Sequence, residues 1–265
     1  MPPKKILLLL DGDIICYQAA SACELHINWN DDPYGEETYW FDPCEIVNYV
    51  TNYVNKHIDQ FQADKVFICL SCNTEDNFRK QLFPEYKSNR KALRKPEGLV
   101  FIRDYIKEYY SKDVKELPTC EADDVMGIIG TDPDVTSKYA VVLVSIDKDM
   151  AQIPGVLWYN PRSDKSSKFN VAECSRFHLY QTITGDAVDN YKGAIGWGPV
   201  KTNNVLDLCT SLKYNLQETW EYIVRSCFNN NNTLALQNAR CAKILNFRDW
   251  DNKNKRVRLW SPRKN

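Results

Sequence analysis

Three short stretches, Lys4–Leu10, Lys65–Leu70 and Tyr139–Ser145, are nearly unbroken apolar runs. Runs of that length suit central strands of a parallel sheet, covered on both faces. Between them the apolar period becomes that of a helix. Asp42-Pro43-Cys44-Glu45 offers an N-cap acid, a proline at N1 and a glutamate at N3. Ile46, Val50, Tyr53, Val54 and Phe61 then mark one apolar face. Leu99, Ile102, Ile106 and Tyr109 mark a second. Strand–helix alternation predicts an α/β fold, a mainly parallel twisted sheet flanked by helices with right-handed crossovers. From about Asp186 the pattern becomes a glycine-rich turn followed by helices. Trp220, Ile223, Val224 and Cys227 share one face there, and Ala239, Ala242 and Leu245 another. The divide near 183 has no linker composition, so two regions, 1–182 and 183–265, are expected to pack together. Glu24–Phe41, with Asp31, Asp32, Pro33 and Gly35 between aromatic residues, reads as a hairpin without a legible function.

Composition narrows the class. The 265 residues, 43% hydrophobic and 26% charged, describe an ordinary globular chain large enough for a sizeable core. The run Ile6–Leu10 meets Asp11-Gly12-Asp13 at once and is too short for a signal segment or membrane span. A cytoplasmic protein with no membrane partner is expected. Ten cysteines lie scattered, and Cys69 and Cys72 form the one CxxC with no partner pair, which predicts reduced thiols.

Candidate chemistry lies in acids distant along the chain. Asp11 and Asp13 follow the first strand, and Asp147 and Asp149 follow the third. Carboxyl ends of parallel strands face one sheet edge, where open α/β folds place their sites. Glu121, Asp123 and Asp124 open a helix, and Asp186 and Asp189 stand three apart at the entrance to the glycine turn. Such a concentration of like charge needs cations, and oxygen-only ligands suit Mg²⁺ or Mn²⁺. The net charge is −1. Setting these nine acids aside leaves 26 carboxylates against 34 Lys and Arg, an acidic pocket in a basic shell.

The basic residues have their own pattern. Arg79, Lys80, Lys87, Arg90, Lys91, Arg94 and Lys95 stand against a single acid, Glu85, with Tyr86 among them. That suits a phosphate path with an aromatic stacking platform. Gly193, Gly196 and Gly198, then Lys201 at a helix start, suit backbone and charge contacts to phosphate.

Together these motifs resemble, in order and spacing, the flap endonucleases and polymerase-associated 5′ nucleases. Asp11-Gly12, Tyr86 to Lys91, Glu121-Ala122-Asp123-Asp124, Ser145-x-Asp147-Lys148-Asp149 and Gly185-Asp186-x-x-Asp189-Asn190 carry the resemblance, over about residues 4–210. Ala239-Arg240, Leu245-Asn246-Phe247 and Leu259-Trp260 are similar to the 5′–3′ exonucleases of T-seven-type podophages.

The resemblance implies a PIN-like nuclease fold, with a helical arch built from about Lys80 to Leu117. It also implies a helix–three-turn–helix module from Gly185 whose glycine turn holds K⁺ and grips duplex DNA. Asp11, Glu121 and Asp123 would serve one metal, Asp124 would lie between two, and Asp147, Asp149, Asp186 and Asp189 would serve the second. Lys87 and Arg90 would sit over the scissile phosphate, with Asp11, Asp123 and Asp147 the leading catalytic acids. Arg79, Tyr86, Lys91 and the glycine turn would join them in binding DNA. One departure stands out: the family's usual metal-site Asp is replaced by Cys72, unless Asp76 shifts into its place, and Asp13 would compensate. Two-metal hydrolysis of duplex 5′ ends, flaps and RNA–DNA primers in phage replication follows from the resemblance. Two alternatives share features with this chain. Asp11-x-Asp13 with Gly185-Asp186-x-x-Asp189 also resembles a haloacid-dehalogenase-type phosphatase, and the basic run with the glycine turn could serve a non-catalytic DNA-binding protein.

Overall fold

The structure, a computed structural model, describes residues 3–28 and 37–262. In chain order its elements begin with β1 (Lys5–Asp11), α1 (Gly12–Ala22), β2 (Glu24–Asn28), β3 (Glu37–Phe41), α2 (Pro43–Phe61) and β4 (Lys65–Leu70). There follow α3 (Phe78–Leu82), α4 (Leu99–Tyr109), β5 (Val114–Glu116), α5 (Ala122–Gly130), α6 (Pro133–Thr136) and β6 (Tyr139–Val144). The chain ends with β7 (Leu157–Asn160), β8 (Lys165–Ser167), α7 (Val171–Thr184), α8 (Pro199–Ser211), α9 (Leu216–Cys227), α10 (Asn232–Ala242) and a short β9 (Trp250–Asp251) and β10 (Arg256–Val257).

The main sheet runs β5-β4-β1-β6-β7-β8, and all neighbours are parallel except β7 with β8. The reason β1 reads as an unbroken apolar run is visible in the packing. Its alternate side chains go to opposite faces. Leu7 and Leu9 meet α5, Ile244, Leu245 and Trp250 on one face, while Leu8 and Leu10 meet α1, α2 and α4 on the other. All four leucines are at most 1% exposed. Each contributes roughly 1.5–3 kcal/mol by burial. The α/β fold and its parallel sheet are therefore as expected.

In α2, Asp42 caps the N-terminus through Cys44 N–H, Pro43 opens the helix, and Ile46, Val50 and Val54 are buried. The α4 face is narrower than expected: Ile102 and Ile106 are buried, but Tyr109 is 66% exposed at the helix end. Seven of the ten free cysteines are buried and Cys44 is exposed.

Two expected boundaries move. Leu99 to Leu117 does not belong to an arch, because Ile102 and Ile106 lie in the core and β5 is the edge strand of the sheet. Only residues 83–98 remain as a segment between α3 and α4. The second divide, at 182/183, falls inside the unbroken α7. Leu179 and Ile183 share one apolar cluster with α8, α9 and α10, so the helical unit begins with α7. The hairpin expected over 24–41 is present as the antiparallel pair β2–β3. Its Asp31, Asp32, Pro33 and Gly35 lie outside the described residues. Among the described residues no helix is long and apolar enough to cross a membrane.

Candidate metal centre and nucleic-acid interface

Parallel pairing of β1 with β4 and β6 sets their carboxyl ends side by side, with Leu10 opposite Val144 and Asp11 opposite Cys69. Asp11 is 6% exposed and caps α1 through Ile14 N–H. Ser145, leaving β6, donates to it at 2.8 Å. Gly12 is required here by close approach: a Cβ would come within 2.7 Å of the Cys69 carbonyl. Burial and the neighbouring Asp13 push Asp11 up to about 7, against the hydrogen bonds it accepts.

Asp147 caps a short 3-10 turn, Lys148–Gln152, through Asp149 N–H. Asp149 accepts from Gln181 of α7 at 2.6 Å, and burial followed by Asp147 pushes it up to about 7. On α5, Glu121 and Asp124 form a reciprocal capping box. Single oxygens of Glu121, Asp123 and Asp124 lie within 4.8 Å of one another, close enough for one ion. Asp123 is held well above the usual carboxylate range by burial, then by Asp124 and Glu121.

The acids form one continuous rim, since each feels the next through space. Asp147 acts on Asp11, Asp189 on Asp149, Glu121 on Asp189, and Glu121 again on Asp123. Asp186 joins through Tyr191, whose hydroxyl is raised by burial and then by Asp149, Asp189 and Asp186. Lys148 donates to Asp186 at 2.8 Å and, against its burial, holds it below the ordinary value.

Within the segment 83–98, Tyr86, Lys87 and Arg90 meet these acids. Lys87, in the left-handed region at φ 54°, donates through Nζ to Glu121 and lies 3.7 Å from Asp189. Against a burial cost, Lys87 and Arg79 hold Glu121 down at about 2. Arg90 donates to Asp189 at 2.7 Å and to the Val188 carbonyl at 3.3 Å.

Several expected roles change. Arg79, expected on DNA, is 1% exposed; it forks onto Asp124 at 2.6 and 2.9 Å and donates to the carbonyls of Cys241 and Lys243. Tyr86, expected as a stacking platform, is 2% exposed, and its hydroxyl lies 3.0 Å from Glu121 and 2.9 Å from Asp189. Each oxygen of Asp124 already accepts two hydrogen bonds, counting those from Glu121 N–H and Leu245 N–H. With both oxygens so engaged, Asp124 ties α5 to Arg79, and it would lie between two ions only by giving up part of this bonding. Asp13 is tied by Arg103 at 2.6 Å and by the Ser71 hydroxyl, which itself accepts from Ala122 N–H. Cys72 is half-buried, and burial and then Glu121 push its thiol up to about 11, whereas Asp76 is exposed on a separate turn.

In the glycine turn, Gly193 is buried, with its N–H on Asn238 and Gly185 packed against it, so it offers nothing to phosphate. Gly196, at φ 79°, and Gly198 are open, and Lys201 bonds the Gly196 carbonyl at 3.1 Å. Of Lys91 the backbone alone is described. Arg103, Ser71, Gln181 and Lys148 were not anticipated; only Lys148, between two acids, carried a sequence signal.

The model of the 5′-3′ exonuclease N-terminal resolvase-like domain matches residues 6–176, well over half the chain. The chain belongs to the 5′-3′ exonuclease family. Membership makes it a nuclease and sets aside the phosphatase and the non-catalytic binder. The exonuclease of Escherichia phage T7 is 29% identical over 97% of this chain and 94% of its own length. Among solved structures, the phage T5 D15 protein co-crystallised with metal ions superposes with a TM-score of 0.62 at 17% identity, covering 91% of this chain and 90% of that one. A complex of the phage T5 D15 flap endonuclease with DNA and metal ions gives 0.58 at 18% identity, covering 91% and 89%. These two likenesses carry the fold: a mainly parallel sheet flanked by helices.

Proposed function

We propose that this chain is a divalent-metal-dependent 5′–3′ exodeoxyribonuclease that also cuts flaps, acting on duplex DNA and RNA–DNA primers during phage replication. The single observation that carries the reading is the seating of Lys87 and Arg90 directly on the acidic rim, joining a phosphate-binding group to a metal-binding one.

The residues present fit two Mg²⁺ or Mn²⁺ ions. The donors are all oxygen, and burial together with neighbouring like charge raises Asp11, Asp123 and Asp149 above the ordinary carboxylate range, a cost that a bound cation would relieve. Asp11, Glu121 and Asp123 would hold one ion, and Asp147, Asp149, Asp186 and Asp189 the other. Bound there, the ions would supply an activated water and neutralise charge on the attacking and leaving oxygens.

The chain's own residues do the rest. Ser145 and Gln181 orient Asp11 and Asp149, and Arg79 with Asp124 fixes α5 so that Glu121 and Asp123 face the rim together. Lys87 acts as a point charge on the phosphate and Arg90 as a forked contact. The segment 83–98 is the arch. Helices α7 and α8 with the turn between them are the helix–three-turn–helix module, whose exposed Gly196, Gly198 and Lys201 grip the duplex backbone and whose carbonyls suit K⁺.

A gel of 5′- and 3′-labelled duplex and flap substrates with Mg²⁺ tests the reading. Short products from the 5′ label, none without divalent ions, are expected; cleavage from the 3′ end, or binding without cleavage in both Mg²⁺ and Mn²⁺, would refute it.

A further inference from the structure

The hairpin β2–β3 gives no residue to the acidic rim, yet it grips the segment that carries Lys87 and Arg90. Glu24, the first residue of β2, has a largely covered carboxylate. It accepts from both terminal nitrogens of Arg94, one at 3.0 Å, and from Glu97 N–H at 2.7 Å. The Arg94 guanidinium lies 3.5 Å from the ring centre of Tyr39 on β3. Glu24 is paired in register with Phe41, whose ring meets Phe101 of α4 at 5.6 Å and packs on the core. The clasp is therefore rooted in the sheet unit.

The other end of the segment is held elsewhere. Lys87 N–H donates to the Asp189 carbonyl at 3.0 Å, Asn89 to the Ala187 carbonyl at 2.9 Å, and Asn190 to the Glu85 carbonyl at 2.8 Å. Residues 85–90 are thus fastened to the turn after α7, and residues 94–97 to the hairpin. A linker held at one end would sample many positions for Lys87; held at both, it samples few, and the ordering is settled before substrate arrives. A forked arginine–carboxylate pair with an aromatic face beneath it fixes direction as well as distance.

We propose that Glu24, Tyr39 and Arg94 form a brace that holds the segment 83–98 over the acidic rim, making them positioning residues that act through Lys87 and Arg90. The catalytic half of this statement rests on the proposed function; the anchoring half does not.

The test uses the full chain carrying Glu24→Gln, which keeps the size of the side chain and removes its charge. Trypsin can cut after Lys87, Arg90, Lys91 and Arg94, so nicking within the segment reports directly on how firmly it is held. Nicking about tenfold faster, with kcat on labelled duplex about tenfold lower and KM little changed, is the expected result. The exchanged pair Glu24→Arg with Arg94→Glu restores the ion pair but neither the bond from Glu97 N–H nor the contact with Tyr39, so it should recover part of the lost kcat. Adding Glu24→Gln to the double variant Lys87→Ala with Arg90→Ala should lower kcat no further, which a merely structural role would not produce. An unchanged nicking rate would overturn the brace. Faster nicking with kcat unaltered would keep the anchor and overturn the role given to Lys87 and Arg90, so the two failures are distinct.

Discussion

Two regions of the acidic rim hold their charge by different means. At the junction of the sheet with the helical unit, Glu121, Asp124, Asp186 and Asp189 each face a cation of the chain's own, supplied by Lys87, Arg79, Lys148 and Arg90. At the strand ends, Asp11 and Asp149 have hydroxyl and amide partners, and burial among like charges raises both to about 7; Asp123, on the border, is also held well above the ordinary carboxylate range. The first region is paired, although burial still holds Asp189 above its ordinary value, and a divalent ion there must displace a lysine or arginine. The second lacks only a cation. The difference teaches where metal should bind first, and on the proposed function it gives Lys87 and Arg90 two partners: the acids in the free protein and a phosphate in the loaded one.

The sharpest way to break this comparison is Asp123→Asn. Turnover with Mg²⁺ should fall about 10³-fold, equivalent to about 4 kcal/mol, while thermal unfolding of the metal-free protein moves upward, because Asn removes a carboxyl whose ionised form burial and like charges disfavour. A lower melting temperature in the absence of metal would place Asp123 among the compensated acids.

Arg79→Ala tests the other region by leaving Asp124 as a buried, unpaired charge. Urea unfolding should show a loss of about 3–5 kcal/mol. A loss under about 1 kcal/mol would be the signature of a surface pair instead.

Lys87→Ala should lower kcat about 10²-fold with duplex affinity little altered. The reverse split would make Lys87 a grip residue.

The smallest effect is a dependence of stability on pH. Asp11 and Asp149 titrate near 7 when folded and near 3.8 when unfolded, so between those values the folded chain binds more protons. Metal-free stability should therefore fall as pH rises from about 4 through 7. Glu121, lowered to about 2 from 4.5, acts oppositely: its contribution is present above 4.5 and is lost as pH falls through 2. Chemical unfolding at pH 5 and 8 without metal checks the sign in the upper window.

Much of this was legible because strands announce themselves. An unbroken run ending in Asp11, and another ending beside Asp147, place both acids at one sheet edge by topology alone. Glu121 and Asp123 were legible as the opening of a helix. The errors share one cause: charge along a sequence says nothing about which way a side chain points. Arg79 and Tyr86 sit in a basic run and look solvated, but α3 and the turn after it direct both inward to Asp124, Glu121 and Asp189. Asp124 read as an acid lying between two metals, and nothing in the sequence showed that Arg79 and Leu245 N–H engage its carboxylate. Arg103, on an ordinary amphipathic helix, meets Asp13 from 90 residues away, a contact no local pattern encodes.

Calorimetric titration of Mg²⁺ into the protein, in two buffers of different ionisation enthalpy at pH 6 and again at pH 8.5, tests the two-region account most directly. Protons held by Asp11, Asp123 and Asp149 must leave as ions bind. The heats should differ between buffers at pH 6, showing proton release, and the difference should shrink at pH 8.5. Equal heats in both buffers at pH 6, with Mg²⁺ bound, would contradict it.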